Sequence, residues 1–190
     1  MRIAIVMATV AMITGLFGCT TESVPTSGVI KLNLNSDYPV GKYAPDLPFT
    51  SENGKETTFR KIRQPIAIVA FTSMSDENRP NPDLVNLAED FRNLPVTVAQ
   101  IYLPSGKYSS AQEFLAVNNI HHKDLVTLYD AERIALRGFG YPKPNMVFLI
   151  DDNSKIVTIC KGFNNLRSLT DRAQKLAKAV EEADADHFAQ

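Results

Sequence analysis

Apolar positions fall into blocks along this chain, and the spacing inside each block says what it builds. Residues 3–17 are apolar apart from Thr9, Thr14 and Gly15, after a single positive charge at Arg2. Fifteen residues suit the central region of a secretory leader but fall short of the roughly 20 that span a bilayer. The chain is then polar and thin in apolar residues from Thr20 to Gly41, apart from Val29-Ile30-Lys31-Leu32. Pro65-Ile66-Ala67-Ile68-Val69-Ala70-Phe71 is a continuous apolar run rich in β-branched residues, as in a strand buried on both faces. Past it the period changes: Leu84, Leu87, Ala88 and Phe91 recur at helical spacing behind Asn81-Pro82, a cap followed by a proline suited to the first helical position.

The alternation continues to the end of the chain. Residues 96–103 read as the next strand. Ser110-Ala111-Gln112-Glu113 is a capping-box pattern that opens a helix through about Asn118. Residues 125–129 form a third strand, and Asp130 caps a helix running through Arg137 until Gly138 stops it. Residues 146–150 and 155–160 pair as a hairpin across Asp151-Asp152-Asn153-Ser154, with Ile156, Thr158 and Cys160 on one face. A closing helix from near Asn165 to Glu182 carries Leu166, Leu169, Ala173, Leu176, Ala177 and Val180 as its apolar stripe. Strand and helix in this order predict an α/β protein, a three-layer α/β/α sandwich around a mixed sheet.

Two cysteines change the picture. Leu16-Phe17-Gly18-Cys19 closes the leader, and the polar Thr20-Thr21-Glu22-Ser23 follows at once. That arrangement resembles the lipobox of a bacterial lipoprotein, which implies that Cys19 is the lipidated first residue of the mature chain; cleavage at an ordinary secretory site is the alternative. The expected organisation is a signal peptide over 1–18, a polar tether over 19–40, one domain over 41–183 and a tail over 184–190. The tether can reach about 70 Å at roughly 3.3 Å per residue. This places the domain in the bacterial envelope, on the periplasmic face of either membrane or outside the cell; Thr20 and Thr21 in place of Asp favour the outer membrane. Removing residues 1–18 takes away Arg2 and leaves 19 basic against 21 acidic side chains. A balance of −2 predicts neither a nucleic-acid footprint nor a polybasic membrane patch.

Four motifs in sequence carry a resemblance over residues 41–180. The first is Gly41-Lys42-Tyr43-Ala44-Pro45-Asp46-Leu47, the second Gly54 at the turn of a first hairpin, and the third Leu128-Tyr129-Asp130 followed by Phe139-Gly140 and Pro144. Phe148-Leu149-Ile150-Asp151 completes the set. Together they resemble the thioredoxin superfamily, in the branch of peroxiredoxins and membrane-anchored thiol-disulfide reductases. The resemblance implies a nucleophilic cysteine after the strand ending near Phe71, where a helix N-terminus lowers its pKa. The chain there reads Ala70-Phe71-Thr72-Ser73-Met74-Ser75-Asp76-Glu77. In the peroxiredoxin alignment Thr72 matches the family's threonine and Ser75 takes the cysteine's place. In the reductase alignment, set on Pro82, the two thiol positions fall on Met74 and Glu77. The resemblance also implies a cis-proline, for which Pro144 is the candidate and Asn145 the rival by one residue, and beside it a backbone that pairs with an extended peptide.

These substitutions predict a domain that has lost thiol chemistry and kept a scaffold for binding an extended peptide or an envelope protein. A structural envelope component is a further reading. The rival from another class is a thiol-disulfide oxidoreductase or peroxiredoxin-like antioxidant protein that uses Cys160 or a partner's thiols. Ser75 lacks the neighbouring imidazole a serine nucleophile needs, because His121 and His122 precede the 125–129 strand at the far edge. The two histidines point apart with no carboxylate at ligand spacing in sequence, and Asp151-Asp152-Asn153 is too short for a calcium loop, so no metal and no cofactor is expected. Cys160 in mid-strand reads as a buried, inert thiol.

Overall fold

The run beginning at Ile66 becomes the centre of the molecule. In the computed structural model strand β3 spans Ile66–Ser73, and its side chains alternate between two cores: Ile66, Ile68 and Ala70 on one side, Ala67, Val69 and Phe71 on the other. The structure describes residues 40–74, 80–108, 110–118, 120–130, 132–140, 142–163 and 166–188. Cys19, Ser75 and Glu77 lie outside the described residues.

The remaining elements are β1 (Pro48–Ser51), β2 (Glu56–Thr58), α1 (Phe59–Ile62), α2 (Pro82–Asp90), β4 (Val96–Leu103) and α3 (Ala111–Val117). They are followed by β5 (Leu125–Tyr129), α4 (Ile134–Gly138), β6 (Met146–Ile150), β7 (Ile156–Lys161) and α5 (Leu166–Phe188). The strands form one sheet in the order β2-β1-β5-β4-β3-β6-β7. β3, β4 and β5 are parallel, and the other neighbours are antiparallel. The sheet is therefore mixed, as expected. Helices α2 and α5 cover one face through Leu84, Leu87, Leu169 and Ala173, while Phe59, Ala135 and Phe139 cover the other. No described helix is long and apolar enough to cross a membrane.

Local chemistry fixes the element ends. Asn81 Oδ1 accepts from the Asp83 and Leu84 N–H groups at 2.9 and 3.4 Å, and Pro82 begins α2. Ser110 Oγ accepts from Glu113 N–H at 3.1 Å, the expected half of a capping box. Gly54 turns the β1–β2 hairpin at φ 76° and donates to Ser51 O at 2.9 Å.

Three expectations change. Helix α4 starts at Ile134 rather than just after Asp130, yet the Asp130 carboxylate still accepts from Ala135 N–H at 3.1 Å. The closing helix runs on to Phe188, into the segment expected to be a tail. After Gly162 the sequence holds neither glycine nor proline to stop it, and Ala183 and Ala185 favour continuation. Along β7 the register with β6 shifts between Ile150 and Leu149, which face Ile156 and Thr158. Val157 is the extra residue of this bulge, and it inverts the alternation. Ile156 consequently joins the core beneath α4, whereas Val157 and Cys160 join the core beneath α5.

Candidate functional site

The carboxyl ends of β3, β4 and β5 share one pole of the sheet, and β3 delivers Thr72 and Met74 there. Thr72 is buried, and its hydroxyl accepts from Gln100 Nε2 at 3.1 Å. Gln100 is fully buried on β4 opposite Ala70, and its Oε1 accepts from Asn81 N–H at 3.3 Å. One amide thus ties the end of β3 to the helix cap at Asn81. Sequence reasoning passed over Gln100, although a lone amide in an otherwise apolar strand is the signal that marks it.

Met74 has turned inward. It has no exposed surface and packs with Tyr102, Tyr108, Phe114, Ile120 and Tyr129. Its N–H donates to Leu103 O at 2.9 Å, and its carbonyl accepts from Ser105 Oγ. A flexible thioether fills the space among these rings, where sulfur–aromatic contact is favourable. The described part of α2 begins only at Pro82, and its cap Asn81 already occupies the Asp83 and Leu84 N–H groups.

The entrance to β6 corrects the proline assignment. No described peptide bond is cis, and the Lys143–Pro144 bond is trans. The sharp turn is made instead by Asn145 at φ 67°, a left-handed conformation that Asn tolerates better than most residues. Asn145 N–H donates to Phe71 O at 2.6 Å, and its carbonyl accepts from Gly162 N–H at 2.7 Å. Lys143 is engaged within the same turn: its N–H points to Met146 Sδ at 3.2 Å, and its carbonyl accepts from Met146 N–H at 3.2 Å.

With the sheet order and this pole in place, comparison with solved structures is direct. BsSco, of the Sco family of cytochrome c oxidase assembly proteins, superposes with a TM-score of 0.54 at 13% identity, covering 74% of this chain and 96% of its own. The exposed lipoprotein thioredoxin Etrx1 of Streptococcus pneumoniae gives 0.55 at 18%, covering 70% and 100%. A peroxiredoxin-like protein of Aquifex aeolicus gives 0.53 at 13%, covering 75% and 90%. The fold is thioredoxin-like. No protein-family model matches the chain, and no curated protein matches its sequence.

In this thioredoxin-like domain Cys160 sits on β7 opposite Val147, 8% exposed, in the core beneath α5. Burial pushes its thiol pKa up, the reverse of what a nucleophile needs. The histidines lie at the amino end of β5, the pole opposite Met74. Each meets a carboxylate contributed from an element distant in sequence, which spacing along the chain does not show. His121 Nδ1 lies 2.7 Å from Glu52 Oε2, and His122 Nε2 lies 3.6 Å from Glu89 Oε1. Glu89, His122 and Asp124 cluster closely enough to share a cation. However, Arg92 Nε and Nη2 already bind both Asp124 oxygens, at 3.0 and 2.7 Å. That hydrogen-bonded pair holds the Asp124 carboxyl below its ordinary pKa and fills its coordination positions with a guanidinium. The cluster is an ion-pair network at the surface.

Proposed function

We propose that the chain is a lipid-anchored, thioredoxin-like protein of the bacterial cell envelope whose thiol site is degenerate and which acts as a binding or scaffold module. The observation that carries this reading is the burial of Met74. The residue at a thiol position of the reductase alignment is a core residue, its side chain packed in an aromatic cluster and its main chain bonded to Leu103 O and to the Ser105 hydroxyl. Cys160 supports it from the other direction, being buried with a raised pKa. Partners of the envelope, whether folded proteins or extended peptides, are the class the reading implies. Strand pairing with a peptide at Lys143 would require that residue's backbone groups to leave Met146.

Thiol-dependent turnover is the test. The purified protein should neither reduce insulin disulfides nor consume hydrogen peroxide above the uncatalysed rate. Activity in the wild type that disappears in Cys160→Ser would overturn the reading and make Cys160 the nucleophile. The anchor is tested separately by mass spectrometry of the mature protein, which should begin at Cys19 and carry acyl mass. A different N-terminus without lipid would remove the anchor and leave the thiol question untouched.

A further inference from the structure

At the pole opposite Met74, near the amino end of β3, lies a cavity of about 280 Å³ lined by Tyr43, Ala44, Pro45, Asp46, Phe59, Arg60, Arg63, Asn153 and Ser154. Its charge pattern is unusual. Among the described residues neither the Arg60 nor the Arg63 side chain has a carboxylate at ion-pair distance. Arg63 is instead held by neutral acceptors: Nη2 donates to Ser154 Oγ at 2.5 Å, and Nη1 points to the Pro65 and Asp151 carbonyls, each at 3.4 Å. These contacts orient the guanidinium without neutralising it. The acid in the lining, Asp46, directs Oδ1 to the Arg60 backbone N–H at 3.0 Å. The lining therefore carries two guanidiniums against one carboxylate.

The walls are fixed as well. Phe59 is 3% exposed and gives an apolar floor, while Tyr43 is 65% exposed at the rim with Lys155 Nζ 5.6 Å above its ring. Backbone bonds tie this segment to the β6–β7 turn: Ala44 N–H to Ser154 O at 2.7 Å, Gly41 N–H to Ile156 O at 2.7 Å and Ile156 N–H to Lys42 O at 2.9 Å. Ser154, whose hydroxyl orients Arg63, holds φ at 66°. Left-handed backbone at a serine is a cost that surrounding structure must sustain, and such residues gather at ligand sites. A concave site near the lower end of ligand-pocket volumes, part apolar and with convergent fixed charges, has the general form of a small-ligand site.

We propose that this cavity binds an oxyanion, a phosphate or carboxylate group carried on a small apolar body, with Arg60 and Arg63 as the anion's partners and Tyr43 and Phe59 as the wall for the body. Guanidinium donors match the paired oxygens of such groups, and charge-assisted bonds of this kind are among the strong ones. The site lies at the opposite pole of the sheet from Met74 and does not depend on the thiol question.

The test uses the full-length protein, titrated calorimetrically at constant ionic strength with phenyl phosphate and with inorganic phosphate. A third arm compares phosphatidylglycerol with phosphatidylcholine vesicles, to separate a lipid headgroup from a free anion. Saturable binding of phenyl phosphate is expected, weakened at least about tenfold in Arg60→Gln, whose lost bonds are charge-assisted. Arg167→Gln, an exposed charge on α5, should leave it unchanged. Tyr43→Ala should weaken phenyl phosphate more than inorganic phosphate. Arg63→Gln should act like Arg60→Gln, but Arg63 also ties backbone segments together, so Arg60→Gln is the deciding variant. A preference for phosphatidylglycerol vesicles that Arg60→Gln abolishes would assign the anion to a lipid headgroup, and its absence beside phenyl phosphate binding would assign it to a free ligand. Absence of saturable binding in all arms, or binding equal in Arg60→Gln and wild type, would overturn the site.

Discussion

Gln100 shows how much one buried side chain can organise. Its amide is the link between Thr72 on β3 and the backbone of Asn81 at the head of α2. Replacing it with Ala leaves a buried hydroxyl and a half-buried N–H short of partners, at a cost of about 1–3 kcal/mol. Urea unfolding of Gln100→Ala should show that loss with the slope unchanged. A change within about 0.5 kcal/mol, typical of an indifferent surface site, would dismiss the link. The sequence contained this residue in plain view, but a single glutamine carries no partner's address. Thr72 is 28 positions away, and only the parallel pairing of β3 with β4 brings the two together. Met74 was illegible as a core residue, because its surroundings are contributed by β4, α3 and β5.

Elements were read more completely than sites. Periodicity located β3, α2, β4 and β5 because each buries a regular set of positions, and regularity is visible within the element itself. Where the structure departed, the cause lay outside local periodicity or in a missing stop signal. The bulge at Val157 inverts one strand's alternation, and α5 extends because nothing in its sequence ends it. The cap on α2 permits a test at this scale. Asn81→Ala removes the acceptor for two first-turn N–H groups and should cost about 1 kcal/mol, whereas Asn81→Asp, which keeps an acceptor, should cost little. Equal losses in both variants, measured by thermal unfolding, would show that the Asn81 side chain does not act as a cap.

Across the whole molecule, parallel β3, β4 and β5 give the sheet two chemically different poles. One carries Thr72 and the buried Met74 at the end of β3; the other carries Arg60 and Arg63 beside Tyr43. The thioredoxin-like architecture was legible because four short motifs occur in order along the domain. The arginine pair was not, since Arg60 and Arg63 have meaning only once the 151–154 turn and the 43–46 segment close around them.

The solitary buried thiol has a consequence for where this domain can fold. Cys160 is the only cysteine after Cys19, and it lies 8% exposed in the core beneath α5. No covalent cross-link forms part of the domain, so its folded state requires no oxidant, disulfide catalyst or reductant.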